Sequence, residues 1–199
     1  MFGTEFFGKI VGDNYKHALW LNAVSYLEYR GFRKIARSQQ TDDMNLELLL
    51  HSMEEVRHAV FFKRKAIDLG GDEFQSYDVK RLLGGVAPKK YFFDLDADVF
   101  AMISRHDSVE LHKAAYVLIS YLIETRAMSV YENYNAVLKQ TQAAFNLDAI
   151  IKEEESHLND MIEASKSVLL KYDVTMQSLE VLESNAFSGF YKSCLEQLK

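Results

Sequence analysis

Glu-x-x-His occurs twice in this chain, as Glu55-Val56-Arg57-His58 and as Glu154-Glu155-Ser156-His157. Residues three apart on an α-helix share a face, so each pair offers a carboxylate and an imidazole to one cation. Each pair also follows a lone glutamate in an apolar run: Glu28 stands 27 residues before Glu55, and Glu124 stands 30 before Glu154. The repeated set holds four carboxylates and two imidazoles. Carboxylate oxygen with imidazole nitrogen suits iron, manganese or zinc. Four ionised glutamates balance two divalent ions, which removes the large cost of burying unpaired charge. The predicted metal ligands are therefore Glu28, Glu55, His58, Glu124, Glu154 and His157. The first three are assigned to one ion and the last three to the other, with Glu55 and Glu154 as bridges.

With 16 glutamates and six histidines in 199 residues, a single Glu-x-x-His is within reach of chance. The weight lies in the placement. Both motifs fall in mid-helix, both follow a mid-helix glutamate at nearly equal distance, and a long connection separates the two sets. The competing reading is four surface carboxylates with two ordinary histidines. Glu54 and Glu153 precede the histidines by four residues and can reach the same face. Glu55 and Glu154 are preferred because they complete the three-residue spacing twice. Each imidazole also needs an acceptor for its other N–H, and no residue is singled out for that role. His51, Tyr121 and Tyr131 lie on the ligand faces and are candidates for the layer behind the ligands. For His51, a core histidine, a supporting partner and an extra ligand all stay open. For the two tyrosines, aromatic core packing is the competing reading. His17 shares the stripe but sits about three turns from the ligands, and it is read as a core residue.

These side chains need long helices to position them. Residues 4–11 form a short amphipathic segment. Gly12-Asp13 offers a cap for a helix to Ser38, with inner stripe His17, Leu21, Val24, Glu28, Phe32 and Ile35. Thr41 is the expected cap of the second helix, with Asp42 and Asp43 favourable at its positive end, and Gly70-Gly71 ends it. Its stripe reads Leu48, His51, Glu55, His58 and Phe62. A short turn makes the two helices antiparallel neighbours, with Glu28 and Glu55 at similar heights.

Residues 70–96 then form one long connection, with Pro88 inside it and Tyr91-Phe92-Phe93 pinning it down. Such a length suits a crossover along a bundle. A third helical region covers 97–141, with a break at the capping pattern Asp107-Ser108-Val109-Glu110, which His106 and His112 flank. A fourth helix covers 146–172. Asp173 is expected to cap a fifth, with Leu179, Leu182, Ala186, Phe190 and Cys194 as its apolar positions. The fold class is all-α, a single domain over residues 1–199: an antiparallel four-helix bundle at 13–172, a long crossover between its second and third helices, and an added C-terminal helix at 173–199.

Composition agrees. Apolar residues make up 48% of the chain, with one proline and nine glycines, which favours helices over a turn-rich sandwich. The formal charge is −6 and no dense basic run appears, so nucleic acid is not an expected partner. Cys194 is the only cysteine, so no disulfide framework or four-cysteine metal site can form within one chain. The first residues lack the layout of a signal peptide, and charged residues break every apolar run below membrane-spanning length. A cytoplasmic protein without a membrane partner is expected.

On Glu28, Glu55-x-x-His58, Glu124 and Glu154-x-x-His157, with short, long and short connections, residues 13–172 resemble the ferritin-like di-iron carboxylate superfamily. Classical ferritins lack the second Glu-x-x-His, and rubrerythrins usually add a rubredoxin domain that one cysteine forbids. Bacterioferritin, aldehyde-deformylating oxygenase and the superfamily's tRNA hydroxylase share the ligand pattern. Leu122-Ile123-Glu124 with Ala127 and Tyr131 is similar to the third ligand helix of the deformylating oxygenase. The resemblance implies two iron ions (manganese or a mixed manganese–iron pair being the variants), O2 or peroxide as reactant and an external electron donor. It further implies that the last helix and the aromatic crossover form or cover a substrate channel. The expected function is a di-iron oxidoreductase of the oxygenase or hydroxylase type acting on an organic substrate, with a homodimer compatible. Ferroxidase or iron-storage activity is the second reading, and a metal-free helical interaction module the third.

Overall fold

Asp13 starts the first long helix as its sequence suggests: its Oδ1 accepts from the backbone N–H of Tyr15 at 3.0 Å and of Lys16 at 3.1 Å. The computed structural model describes residues 2–39, 42, 44–104 and 110–199. Among these residues the elements are α1 (Thr4–Val11), α2 (Asn14–Ser38), α3 (Leu46–Gly70), α4 (Ala87–Ile103), α5 (Leu111–Gln140), α6 (Asp148–Tyr172) and α7 (Met176–Gln197), with no strand. The fold is all-α. No helix of the described residues is long and apolar enough to cross a membrane.

The boundaries correct the sequence reading in several places. α3 starts at Leu46 with Asn45 as its cap, the side chain accepting from Leu48 N–H at 2.9 Å. Thr41 and Asp43 lie outside the described residues, as do His106 and Asp107. α3 ends as expected at glycine: Gly71 takes φ 84 and its N–H reaches Ile67 O at 2.8 Å.

The expected 70–96 connection is shorter, because α4 already begins at Ala87 with Pro88 in its first turn. Proline fits there, where its missing N–H has no helical partner to lose. The remaining connection holds two 3-10 turns, Asp72–Phe74 and Val79–Arg81, and is anchored to α2. Leu83 N–H donates to Leu19 O, and the Asn22 side chain donates to Ser76 O and Arg81 O. Tyr91 and Phe92 are buried as helix residues, whereas Phe93 is exposed.

The expected third helical region, 97–141 with a break at Asp107, takes in the end of α4 and all of α5, and the expected break itself lies outside the described residues. At the C-terminal end, Asp173 does not cap α7. It adopts the left-handed conformation after α6, and Thr175 caps α7 by accepting from Ser178 N–H at 3.2 Å. The buried positions of α7 are Leu179, Glu183, Phe187, Phe190 and Cys194, so Glu183 and Phe187 replace the expected Leu182 and Ala186.

α2 packs along α3, α5 along α6, and α7 along α4, while α2 also meets α5 and α3 meets α6. Apolar stripes at helical spacing drive this packing. Trp20, Leu21, Val24, Phe62, Leu118, Ile119 and Tyr134 belong to one continuous core. The stripes of α2, α3, α5 and α6 also carry the acids and histidines of the two motifs.

Candidate metal centre

Seven titratable side chains are buried together where those four helices meet: Glu28 from α2; His51, Glu55 and His58 from α3; Glu124 from α5; Glu154 and His157 from α6. The structure brings all six predicted ligands together and adds His51. Ligand atoms of Glu28, His58 and Glu154 lie within 4.8 Å of one another, and so do those of His51, Glu55, Glu124 and His157. The grouping differs from the expected one, because Glu55 and Glu154 each sit with the opposite set. The difference follows from the helix packing, in which each of these glutamates reaches across to the other helix pair.

The polar contacts around the histidines fix their ring orientation. His58 Nε2 pairs with Glu153 Oε2 at 2.8 Å, and His157 Nε2 pairs with Glu54 Oε2 at 2.8 Å. Each imidazole is held by the glutamate that precedes the ligand glutamate on the other helix. Glu54 and Glu153 are thus the acceptors that the sequence left unassigned. The signal was present in the doubled Glu-Glu-x-x-His, Glu54 to His58 and Glu153 to His157. Arg57 in turn pairs with Glu153. With Nε2 held outward, Nδ1 of each ring faces the cluster. His58 Nδ1 lies 2.8 Å from Glu154 Oε1 and 3.6 Å from Glu28 Oε2, and His157 Nδ1 lies 3.7 Å from Glu154 Oε2.

Neither Nδ1 has a hydrogen-bond partner of good geometry, nor do His51 Nε2 and Glu154 Oε1, although all four atoms are buried. Buried polar atoms are almost always paired. Four orphaned ligand atoms, divided between the two groups of carboxylates and imidazoles, fit two divalent cations, each of which would satisfy the atoms of one group.

Tyr131 donates its hydroxyl to Glu28 Oε1, so it lies directly behind a predicted ligand. Tyr121 is buried, but no hydrogen bond joins its hydroxyl to the cluster among the described residues. His17 is a core residue paired with the Tyr134 hydroxyl, and burial lowers it to about 4. Gly31, one turn beyond Glu28, leaves room for Glu55; a Cβ there would collide with Glu55 Oε2.

The electrostatics of the cluster follow from crowding. Burial, followed by the Glu154 charge, pushes Glu28 up to about 8. The same two causes push Glu124 well above the carboxylate range. Burial opposes the Glu154 carboxylate too, but His157, His58 and Glu124 beside it outweigh this and hold it well below the usual range. Burial disfavours the charged form of both histidines. Glu154 and Glu28 nonetheless raise His58 to about 11, and Glu154, with Glu54, raises His157 to about 9. Protons are thus drawn into the cluster, and a divalent cation would compete with them.

Two openings meet the site. A narrow cavity of about 70 Å³ is lined mainly by apolar side chains, among them Trp20, Leu27, Ile35, Ile123, Phe187 and Phe190, and by the carboxylates of Glu28, Glu55, Glu124 and Glu154. That volume holds a few molecules the size of water or O2. α7 and α4 cover it with Phe187, Phe190, Tyr91 and Phe92. Its two cations are paired, Arg126 with Glu183 and Lys34 with Asp96. On the far side a groove of about 490 Å³ reaches His51 and His157 and is lined by Glu47, Glu54, Glu153, Asp160 and Lys152. No protein-family model, curated protein or solved structure matches the chain.

Proposed function

We propose that this chain is a ferritin-like, non-haem di-iron oxidoreductase that reacts with O2 or peroxide. In this reading α2, α3, α5 and α6 are the four-helix bundle, the segment with two 3-10 turns and α4 is the crossover, and residues 1–199 make one domain. The observation that carries it is the apolar cavity ending on four buried carboxylates beside two oriented imidazoles. A storage site needs only a path for cations, and an apolar approach is of no use to them.

Glu28, Glu55, His58, Glu124, Glu154 and His157 would hold the two ions, iron by preference, with manganese or a mixed pair as variants. Two Fe(II) ions there would supply electrons and Lewis acidity to the oxidant. The chain's own groups do the rest. Glu54 and Glu153 hold the imidazoles with Nδ1 inward. Tyr131 orients Glu28 through its hydroxyl. The aromatic rings of α4 and α7 exclude water from the inner face. The cavity's paired cations leave no free charge for an anionic head group, so the organic substrate in this reading is slim and neutral. An external electron donor would restore the reduced state.

The acidic groove favours a second reading, iron oxidation and storage, because it offers cations a path to His51 and His157. Pairing of two chains belongs to the enzyme reading. The outer face of α3 exposes Leu46, Leu49, Leu50, Met53, Val56 and Val60, an apolar strip that a second copy of the chain would cover. Sedimentation after anaerobic iron loading separates the readings. One or two chains, with O2 consumed only alongside an added reductant and an apolar substrate, supports the enzyme. A many-chain shell that turns iron over without organic product favours storage. No bound metal leaves the interaction module.

A further inference from the structure

His51 stands four residues before Glu55 and therefore on the same face of α3. Its ring is buried, and Nε2 lies 3.4 Å from Glu55 Oε1 and 3.6 Å from Glu124 Oε1. Nε2 has no hydrogen-bond partner, although it is fully enclosed. Leaving a buried polar atom unpaired is costly, so a core histidine with no other role should have been satisfied or replaced by an apolar residue. The ring also faces that of His157 at 3.9 Å between centroids, tilted by 32°. Each of these two imidazoles carries a buried, unpartnered nitrogen, and each ring offers a ligand atom within 4.8 Å of those of Glu55 and Glu124.

We propose that His51 Nε2 is a seventh metal ligand and that the two halves of the centre are chemically unequal. This rests on the metal-binding reading of the same cluster. One half offers His51, His157, Glu55 and Glu124, and the other offers His58, Glu28 and Glu154. Two imidazoles against one shift preference toward the nitrogen-favouring later ions of the first row, and oxygen-rich surroundings favour manganese. The two-imidazole half fills first and holds its ion more tightly. The one-imidazole half fills second and keeps more room for an outside ligand.

The test is an anaerobic Co(II) titration of the metal-free full chain, followed by calorimetry and visible absorption. The expected result is two resolved steps, the first about tenfold or more tighter. X-ray absorption at one cobalt per chain should find two imidazoles on the metal; a single imidazole overturns the inference without touching the metal reading. In His51→Gly the first step should weaken by about 10–100-fold or more, the loss ordinarily seen when even a supporting partner is removed. Free imidazole should restore both the step and its absorption band, which a merely structural role for the ring would not allow. His51→Gln, closer in size, serves if His51→Gly does not fold. Two equal steps in the natural protein that persist in His51→Gln also overturn the inference while leaving the metal reading intact. No cobalt bound by either protein overturns both.

Discussion

Glu54 on α3 accepts the Nε2 proton of His157 on α6 at 2.8 Å. Glu153 on α6 returns the same contact to His58 on α3 at 2.8 Å, so the two helices hold each other's imidazoles. Replacing Glu153 with alanine frees the His58 ring while leaving every ligand in place. Metal affinity should fall about 10–100-fold, the usual effect of losing such a partner. Titration of the metal-free protein measures it. An unchanged affinity would mean that His58 is oriented by packing alone.

Gly31 gives a prediction of opposed signs. Gly31→Ala places a methyl group where Glu55 Oε2 now sits. Alanine favours a helix interior over glycine by about 0.5–1 kcal/mol, and the colliding group is the flexible end of a side chain. The metal-free variant should therefore melt close to the natural protein while its metal binding drops sharply. Equal metal binding in the two proteins would show that Glu55 has room elsewhere.

The pH dependence of the metal-free protein follows from Glu28 and His58. Glu28 titrates at about 8 against an ordinary 4.5, and His58 at about 11 against 6.5. Both bind more protons folded than unfolded within those windows. Their contribution is full below the ordinary values and is lost as pH rises through the folded ones. The metal-free chain should melt lower at about pH 9 than at about pH 6, and a bound divalent cation should reverse the order because it replaces the protons. Calorimetric melting with and without metal checks this. A metal-free protein that gains stability on going alkaline would contradict it.

Glu183 ties the helix that covers the cavity. It accepts from Tyr91 Oη at 2.9 Å and pairs with Arg126 through both oxygens. Glu183→Ala leaves a largely buried guanidinium without its partner, which ordinarily costs about 3–5 kcal/mol. Denaturant unfolding should show that loss. A change below about 1 kcal/mol would mean that Arg126 is solvated, as exposed pairs are.

The candidate ligands were more legible in the sequence than their surroundings. Glu28, Glu55, His58, Glu124, Glu154 and His157 were legible because a helix turns three-residue spacing into a shared face, and the structure brings all six together. Asp13, Gly71 and the start of α1 were legible because caps and glycine ends act locally. Pro88 misled, since it reads as a loop residue although the first helical turn accepts it. Glu183 carries no signal in the sequence, because Arg126, which neutralises it, lies 57 residues away in the chain. Glu54 and Glu153 were noticed at the right spacing, but their roles depend on the crossing of α3 and α6, which spacing along one helix does not encode. The same holds for His51, whose neighbours Glu124 and His157 come from other helices.

Whether this cluster binds two metal ions is decided by anaerobic loading with Fe(II), removal of excess and metal analysis per chain. About two irons per chain are expected, the number four carboxylates balance, with a large loss in a His58→Ala/His157→Ala double variant whose helix content is unchanged. A stoichiometry well below two in the natural protein, and the same value in the double variant, would contradict the binding of two ions.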